Sequence, residues 1–424
     1  MTAMAAFTIF FCGTGSNSYD FANTNYHQGE LISTLAKNHA GHEFVDWIIV
    51  DGPGSGNIQE AEKWVPAGNY SGIRGTLQGK GWEENVTHAV AVLVGTNYEE
   101  RKAHTRTETR ILRAAGVGVD TVERTGKVGR ALLGATKKVN FDLHARISPQ
   151  ALQQRKIQIM RKNKPVDCVN VVGWSRGGVT CHMFANALAE TEGWSNVPVN
   201  IFACDPVPGS GNFDAHRISL GRNVKRYVAI YAADERSRGF SPVLPSLSEG
   251  TEFFITTMPG RHATLVGNAS RDGGKGVNTL YGPGKVTRDL AESFLQDWGT
   301  KLNNTFKLTE FQILASYDEM LAQSEDYRAM HDISYTGFTQ SDRAVGTGNG
   351  TWRTFGTSAT LSRETVFVNL HHRWVFERNF SLLYGALFLN TTLTVKQVEL
   401  EFKRIAFQYP SLHKRLKKIP IQLR

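Results

Sequence analysis

Cysteine is scarce in this chain of 424 residues: Cys12, Cys168, Cys181 and Cys204 are all there is, and they share no metal-type spacing. So few in so long a chain excludes a disulfide scaffold. Cys12, Cys168 and Cys204 stand in apolar, strand-like runs and read as small buried hydrophobes. Long apolar stretches are missing too. None approaches eighteen uninterrupted residues, which excludes a transmembrane helix by hydropathy and makes any membrane role peripheral. No basic segment precedes the first apolar run, and Ala5 to Cys12 is only strand length, so no signal peptide is expected. Internal repeats and low-complexity tracts are absent. Hydrophobic residues at 41% and charged ones at 21% are ordinary for a globular protein. The length fits one large domain or two smaller ones, with ample chain for a full core.

The net charge of +9 is concentrated at one end. From Lys396 to Arg424, eight Lys and Arg face only Glu399 and Glu401, a surplus of six. Such a face meets anionic lipid, nucleic acid or an acidic partner protein, or is a solvated helix face with a frayed end.

Val-rich and aromatic runs recur between helical stretches. Ala6–Cys12, Phe44–Val50, Val166–Val172, Val197–Cys204, Val224–Tyr231 and Glu252–Met258 read as strands, and Glu30–Asn38 and Gly178–Ala189 as helices. Residues 58–100 are mixed, with one short apolar segment at Ala89–Val94. Further helices are expected at Arg106–Ala115, Gly126–Leu133, Ser148–Lys162, Asp289–Lys301 and Leu308–Ala322. Strands alternating with helices make a parallel α/β sheet. From about Asp289 the character becomes helical, then Gly/Ser/Thr-rich over 334–365, then basic. The expected division is a catalytic core over 1–290 and an appended helical or lid region over 291–424.

The most informative motif is Gly173-Trp174-Ser175-Arg176-Gly177, between a Val-rich strand and a helix. Strand, sharp turn and helix are the context in which G-x-S-x-G presents a nucleophilic Ser at the top of an α/β-hydrolase sheet. A Ser nucleophile needs a base and an acid that orients it. His262 follows the last strand by four residues, in the order Ser, acid, His. His331, His371 and His372 are weaker base candidates in the appended region, and His182 reads as packing. Asp205 and Asp234 each end a strand and compete for the orienting role; topology slightly favours Asp234, and residue chemistry leaves the two near even. For the oxyanion, the candidate donors are the Arg176 N–H and the Gly13-Thr14-Gly15 turn. That turn lacks the Gly-Lys-Ser/Thr ending of a phosphate loop. These motifs call for neither a cofactor nor a metal.

Five blocks in order carry a resemblance. They are Phe10-Phe11-Cys12-Gly13-Thr14-Gly15-Ser16-Asn17, Gly173–Gly178, Asp205-Pro206-Val207, Tyr231–Arg236 with Phe240–Val243, and Met258–His262. Together, over roughly residues 6–270, they resemble the α/β-hydrolase domain of type VI secretion lipase effectors, antibacterial phospholipases delivered into neighbouring cells. The resemblance implies Ser175 as nucleophile, His262 as base and Asp205 as acid, with Asp234 the runner-up. It also implies synthesis in the bacterial cytoplasm, secretion into a target cell, a phospholipid surface as partner, and an immunity protein and a secretion-spike protein as further partners, but no nucleic acid. Cys12 stands where the family usually has Asp, and Ala263–Gly267 departs from the acidic, Gly-rich stretch usual after the His. Two other readings compete: an esterase of small soluble acyl or polysaccharide esters, and a non-enzymatic adaptor on the same scaffold.

Overall fold

The computed structural model describes residues 5–55, 81–95, 156–161, 164–347 and 352–355. Expected helices at 106–115 and 126–133, His371, His372 and the basic tail lie outside them. No helix among the described residues is long and apolar enough to cross a membrane.

Strands β1 (Ala6–Phe11), β2 (Trp47–Val50), β3 (Cys168–Trp174), β4 (Val199–Cys204), β5 (Val224–Ala232) and β7 (Glu252–Met258) form one six-stranded sheet in the order β2-β1-β3-β4-β5-β7. Every pairing in it is parallel. Strands buried on both faces read as continuous apolar runs, which is why these segments stood out in the sequence. Side chains alternate between two layers. Phe10, Val172, Phe202 and Val228 face one cluster with Leu31, Leu35, Leu290 and Phe294. Ile9, Val171, Ile201 and Ala229 face the other, with Val92, Val179, Phe184 and Leu188. Helices Leu31–Lys37 and Gly282–Asp297 thus cover one face, and Trp82–Val94 and Arg176–Ala189 the other. The protein is a three-layer α/β fold.

Two helices differ from expectation. The apolar segment at Ala89–Val94 is the end of a helix starting at Trp82, bracketed by Gly81 and Gly95 in the left-handed conformation. The helix expected from Asp289 begins at Gly282, with Pro283 in its first turn, where a missing N–H costs nothing. In the Gly/Ser/Thr-rich stretch, β8 (Arg343–Thr347) and β9 (Trp352–Phe355) join β6 (Val243–Leu244) in a small mixed sheet, order β6-β8-β9. Beyond residue 290, Ile313, Met320, Tyr327 and Met330 share the first core cluster with the central strands. All four cysteines are buried, and none is in a disulfide.

Candidate active site

In an open parallel sheet, ligands bind outside the carboxyl ends of the strands, where the strand order reverses. Here β1 pairs with β2 on one side and β3 on the other. The Gly13–Ser16 loop follows β1 and Ser175 follows β3. Asp205, Asp234 and His262 follow β4, β5 and β7. All five therefore arrive at one edge of the sheet.

Ser175 stands at the N-terminus of the Arg176–Ala189 helix with φ 59° and ψ −128°. An L-residue in that region costs about 1–3 kcal/mol and is held there by its surroundings. Those surroundings are two glycines. A Cβ on Gly173 would come within 2.2 Å of the Gly177 carbonyl oxygen, and one on Gly177 within 2.2 Å of that of Phe11. Only hydrogen at both positions lets strand and helix close on the turn. The Ser175 backbone is tied on both sides, its N–H donating to Cys204 O at 3.0 Å and its carbonyl accepting from Val207 N at 3.2 Å. Its hydroxyl is not used to cap the helix.

His262 Nδ1 lies 2.6 Å from Asp205 Oδ2. The pair is buried, with 4% of His262 and none of Asp205 exposed. The backbone of His262 is pinned as well: its N–H donates to Glu235 Oε2 at 3.2 Å, and its carbonyl accepts from Trp174 Nε1 at 3.2 Å. Its ring lies between Trp174 and Phe240, each 5.1 Å away between centroids. Tyr335 in turn sits 5.1 Å from Phe240. Nε2 of His262 is buried and has no hydrogen-bond partner among the described residues. A buried imidazole nitrogen in that state can exchange a proton with a group brought within hydrogen-bond distance.

Asp205, with φ 39°, also has an unusual backbone for an L-residue. Besides His262, its carboxylate accepts from Ala232 N at 3.2 Å, and both its oxygens take Nη2 of Arg343, at 2.8 and 2.6 Å. Burial pushes this carboxyl up, but the Arg343 charge and the His262 contact outweigh it and hold the group below the usual carboxylate range. Arg343 escaped the sequence reading. It lies 138 residues downstream in a polar, Gly-rich segment, and no local pattern there signals a site.

The other candidates fall as follows. Asp234 meets His331, Oδ1 to Nε2 at 2.8 Å, and accepts from Gly260 N at 2.7 Å through Oδ2. It braces the loop that carries His262 rather than the imidazole itself. His182 is buried between Arg217 O at 2.8 Å and the Tyr227 hydroxyl at 3.1 Å. Arg176 opens the helix after Ser175, where first-turn amides have no intrahelical acceptor. Its guanidinium donates to Pro208 O and to Thr14 Oγ1, each at 3.3 Å. That link draws together the Gly13-Thr14 turn and the turn that carries Ser175. The turn itself is closed by Ser16 N donating to Gly13 O at 2.9 Å.

The fold and site define a parallel α/β protein with a Ser, His and Asp cluster at the carboxyl edge of its sheet. No family model matches the chain, and no curated protein matches it. Among solved structures it is similar to the Tle1 effector bound to the VgrG spike from the Type 6 secretion system. Identity is 14% and the TM-score 0.28, over 62% of this chain and 51% of that one. The chain thus matches about half the length of that protein.

Proposed function

We propose that the protein is a serine hydrolase of the α/β-hydrolase type that cleaves carboxylic esters, with the acyl esters of phospholipids as its substrates. The observation that carries this reading is the buried 2.6 Å contact of Asp205 with His262 Nδ1, which leaves Nε2 without a partner among the described residues, at the same end of the sheet as Ser175.

In this mechanism His262 Nε2 takes the proton of the Ser175 hydroxyl as Oγ attacks the ester carbonyl. Asp205 accepts the Nδ1–H bond, fixes the tautomer and stabilises the imidazolium. The tetrahedral oxyanion is received by the Arg176 N–H and a donor in the Gly13-Thr14 turn. Collapse expels the alcohol, which takes its proton from His262 Nε2, and leaves an acyl-enzyme on Ser175. Water, deprotonated by the same nitrogen, then releases the acid.

The lipid substrate is supported by the order of sequence blocks from Gly13 to His262 and by the aromatic wall of Trp174, Phe240 and Tyr335 beside the imidazole. On the same sequence grounds we assign residues 1–290 to the catalytic core and 291–424 to an appended region that packs against it and lends it Arg343. Delivery by type VI secretion, with a spike protein and an immunity protein as partners, belongs to that reading too.

The test is fluorophosphonate labelling with hydrolysis of fluorogenic phospholipid and short-chain ester. The unaltered protein should label and hydrolyse both, faster on liposomes than on monomeric ester, and Ser175→Ala should do neither. Full activity in Ser175→Ala would sink the mechanism. Activity without any gain on liposomes would return the substrate to small soluble esters, and absence of labelling would favour an adaptor.

A further inference from the structure

We infer that Arg343 is a positioning residue for the acid of this site, so that a strand from the C-terminal third of the chain is part of the catalytic machinery. The inference rests on the serine-hydrolase reading above.

Arg343 begins β8, and none of its surface is exposed. Guanidinium burial is costly unless the charge is paired and its hydrogens are used. Nη1 donates to the Phe240 carbonyl, and Nη2 spans both oxygens of Asp205. Among the described residues, Asp205 is the carboxylate that this cation meets. With the Ala232 N–H on Oδ1 and the imidazole on Oδ2, the carboxylate cannot rotate away from His262. The same guanidinium holds Phe240, whose ring edge meets the imidazole. One side chain therefore fixes the acid directly and the aromatic neighbour of the base through its backbone.

The electrostatic consequence has a definite sign. Asp205 and His262 are buried in contact, 2.6 Å apart. The groups around them are Arg343 from β8, Tyr231 from β5 and, at the His262 backbone, Glu235. The fixed Arg343 cation opposes adding a proton to the Asp205 carboxylate. Removing it favours protonation of Asp205, so the acid limb of the pH–rate profile must move up. Arg343 keeps the pair competent toward lower pH.

The experiment uses the full chain with Arg343→Gln and Arg343→Lys, read by ester hydrolysis across pH. In Arg343→Gln, kcat should fall at least about tenfold with KM within about threefold. The acid limb should rise by about one pH unit or more, the effect of losing a charge at this distance. Arg343→Lys keeps the charge and should bring the limb back toward that of the unaltered protein. A limb that stays put in a folded Arg343→Gln overturns the inference, because a merely structural loss would lower activity without moving it. Should Arg343→Gln not fold, carboxyl carbon NMR of the unaltered protein decides. Asp205 titrating below the ordinary carboxylate range supports the inference, and titration at or above that range overturns it. Failure of the hydrolase reading shows separately, as an unaltered protein that neither labels nor hydrolyses.

Discussion

Trp174 holds His262. The residue just before Ser175 in the chain donates its indole N–H to the carbonyl of His262 at 3.2 Å, and its ring lies 5.1 Å from the imidazole. One side chain thereby couples the end of β3 to the loop after β7, although β4 and β5 lie between those strands. Replacing Trp174 with Phe keeps most of the ring and deletes the donor. A buried carbonyl then loses its partner, at about 1–3 kcal/mol. We expect kcat to fall about tenfold with KM little changed, and the thermal midpoint to drop by several degrees. Steady-state kinetics and a melting curve read both, and unaltered kcat would show that the indole contributes packing alone.

The turn that carries Ser175 should be intolerant in a way that open glycine positions are not. Gly177→Ala places a methyl 2.2 Å from Phe11 O, at the end of β1, and 2.6 Å from Cys12 O, the backbone just beyond it. Neither can yield without opening the sheet, so the variant should lose more than about 3 kcal/mol or fail to fold. Gly193→Ala is the control: φ is +77° with nothing within 4 Å. It carries only backbone strain of about 1 kcal/mol. Urea denaturation of the pair measures the contrast, and equal losses would refute the steric account.

Much of this was visible in the sequence, for a physical reason. A strand buried on both faces must be apolar along its length, so β1, β3, β4 and β5 announced themselves, and with them the loops that carry Ser175 and Asp205, while the run Glu252–Met258 pointed to His262. What stayed hidden depends on long-range contacts. The first half of the Trp82–Val94 helix carries Glu83, Glu84, Asn85 and His88, which mask its periodicity. Gly282-Pro283-Gly284 reads as a turn but opens a helix. Asp205 and Asp234 could not be separated by residue chemistry because both end strands. What distinguishes them is that Asp234 meets His331, 97 residues away, while Asp205 meets His262 and Arg343.

Glu30 makes a prediction about stability and pH. Its carboxylate caps the Leu31–Lys37 helix, accepting from Ile32 N at 3.0 Å and Ser33 N at 2.9 Å. Burial nonetheless outweighs these bonds and pushes the group up from 4.5 to about 7. Between those two values the folded protein binds a proton that the unfolded chain has released. Stability from this group is therefore fully present below pH 4.5 and is lost as pH rises to about 7. Glu30→Gln cannot titrate, so the stability difference between the unaltered protein and Glu30→Gln should shrink across that window by about 3 kcal/mol. Urea midpoints at intervals of one pH unit test this, and parallel curves would count against it.

The two acid candidates should separate cleanly by mutation. Asp205→Asn leaves a side chain of the same shape but offers His262 Nδ1 an amide in place of the carboxylate that fixes the tautomer. It also leaves the buried Arg343 charge facing a neutral group at 2.6–2.8 Å. On the hydrolase reading, kcat should fall about 10³- to 10⁴-fold, as it does when a triad acid loses its charge. Stability should fall too, since breaking a buried pair by removing one partner costs about 3–5 kcal/mol. Asp234→Asn removes the charge beside His331 and weakens a bond to the Gly260 N–H, while the Asp205–His262 contact stands. Its kcat should remain within about tenfold of the unaltered enzyme, because it acts on the base only through the loop. Parallel kinetics on the two variants decide the matter: a larger loss in Asp234→Asn than in Asp205→Asn would transfer the orienting role to Asp234.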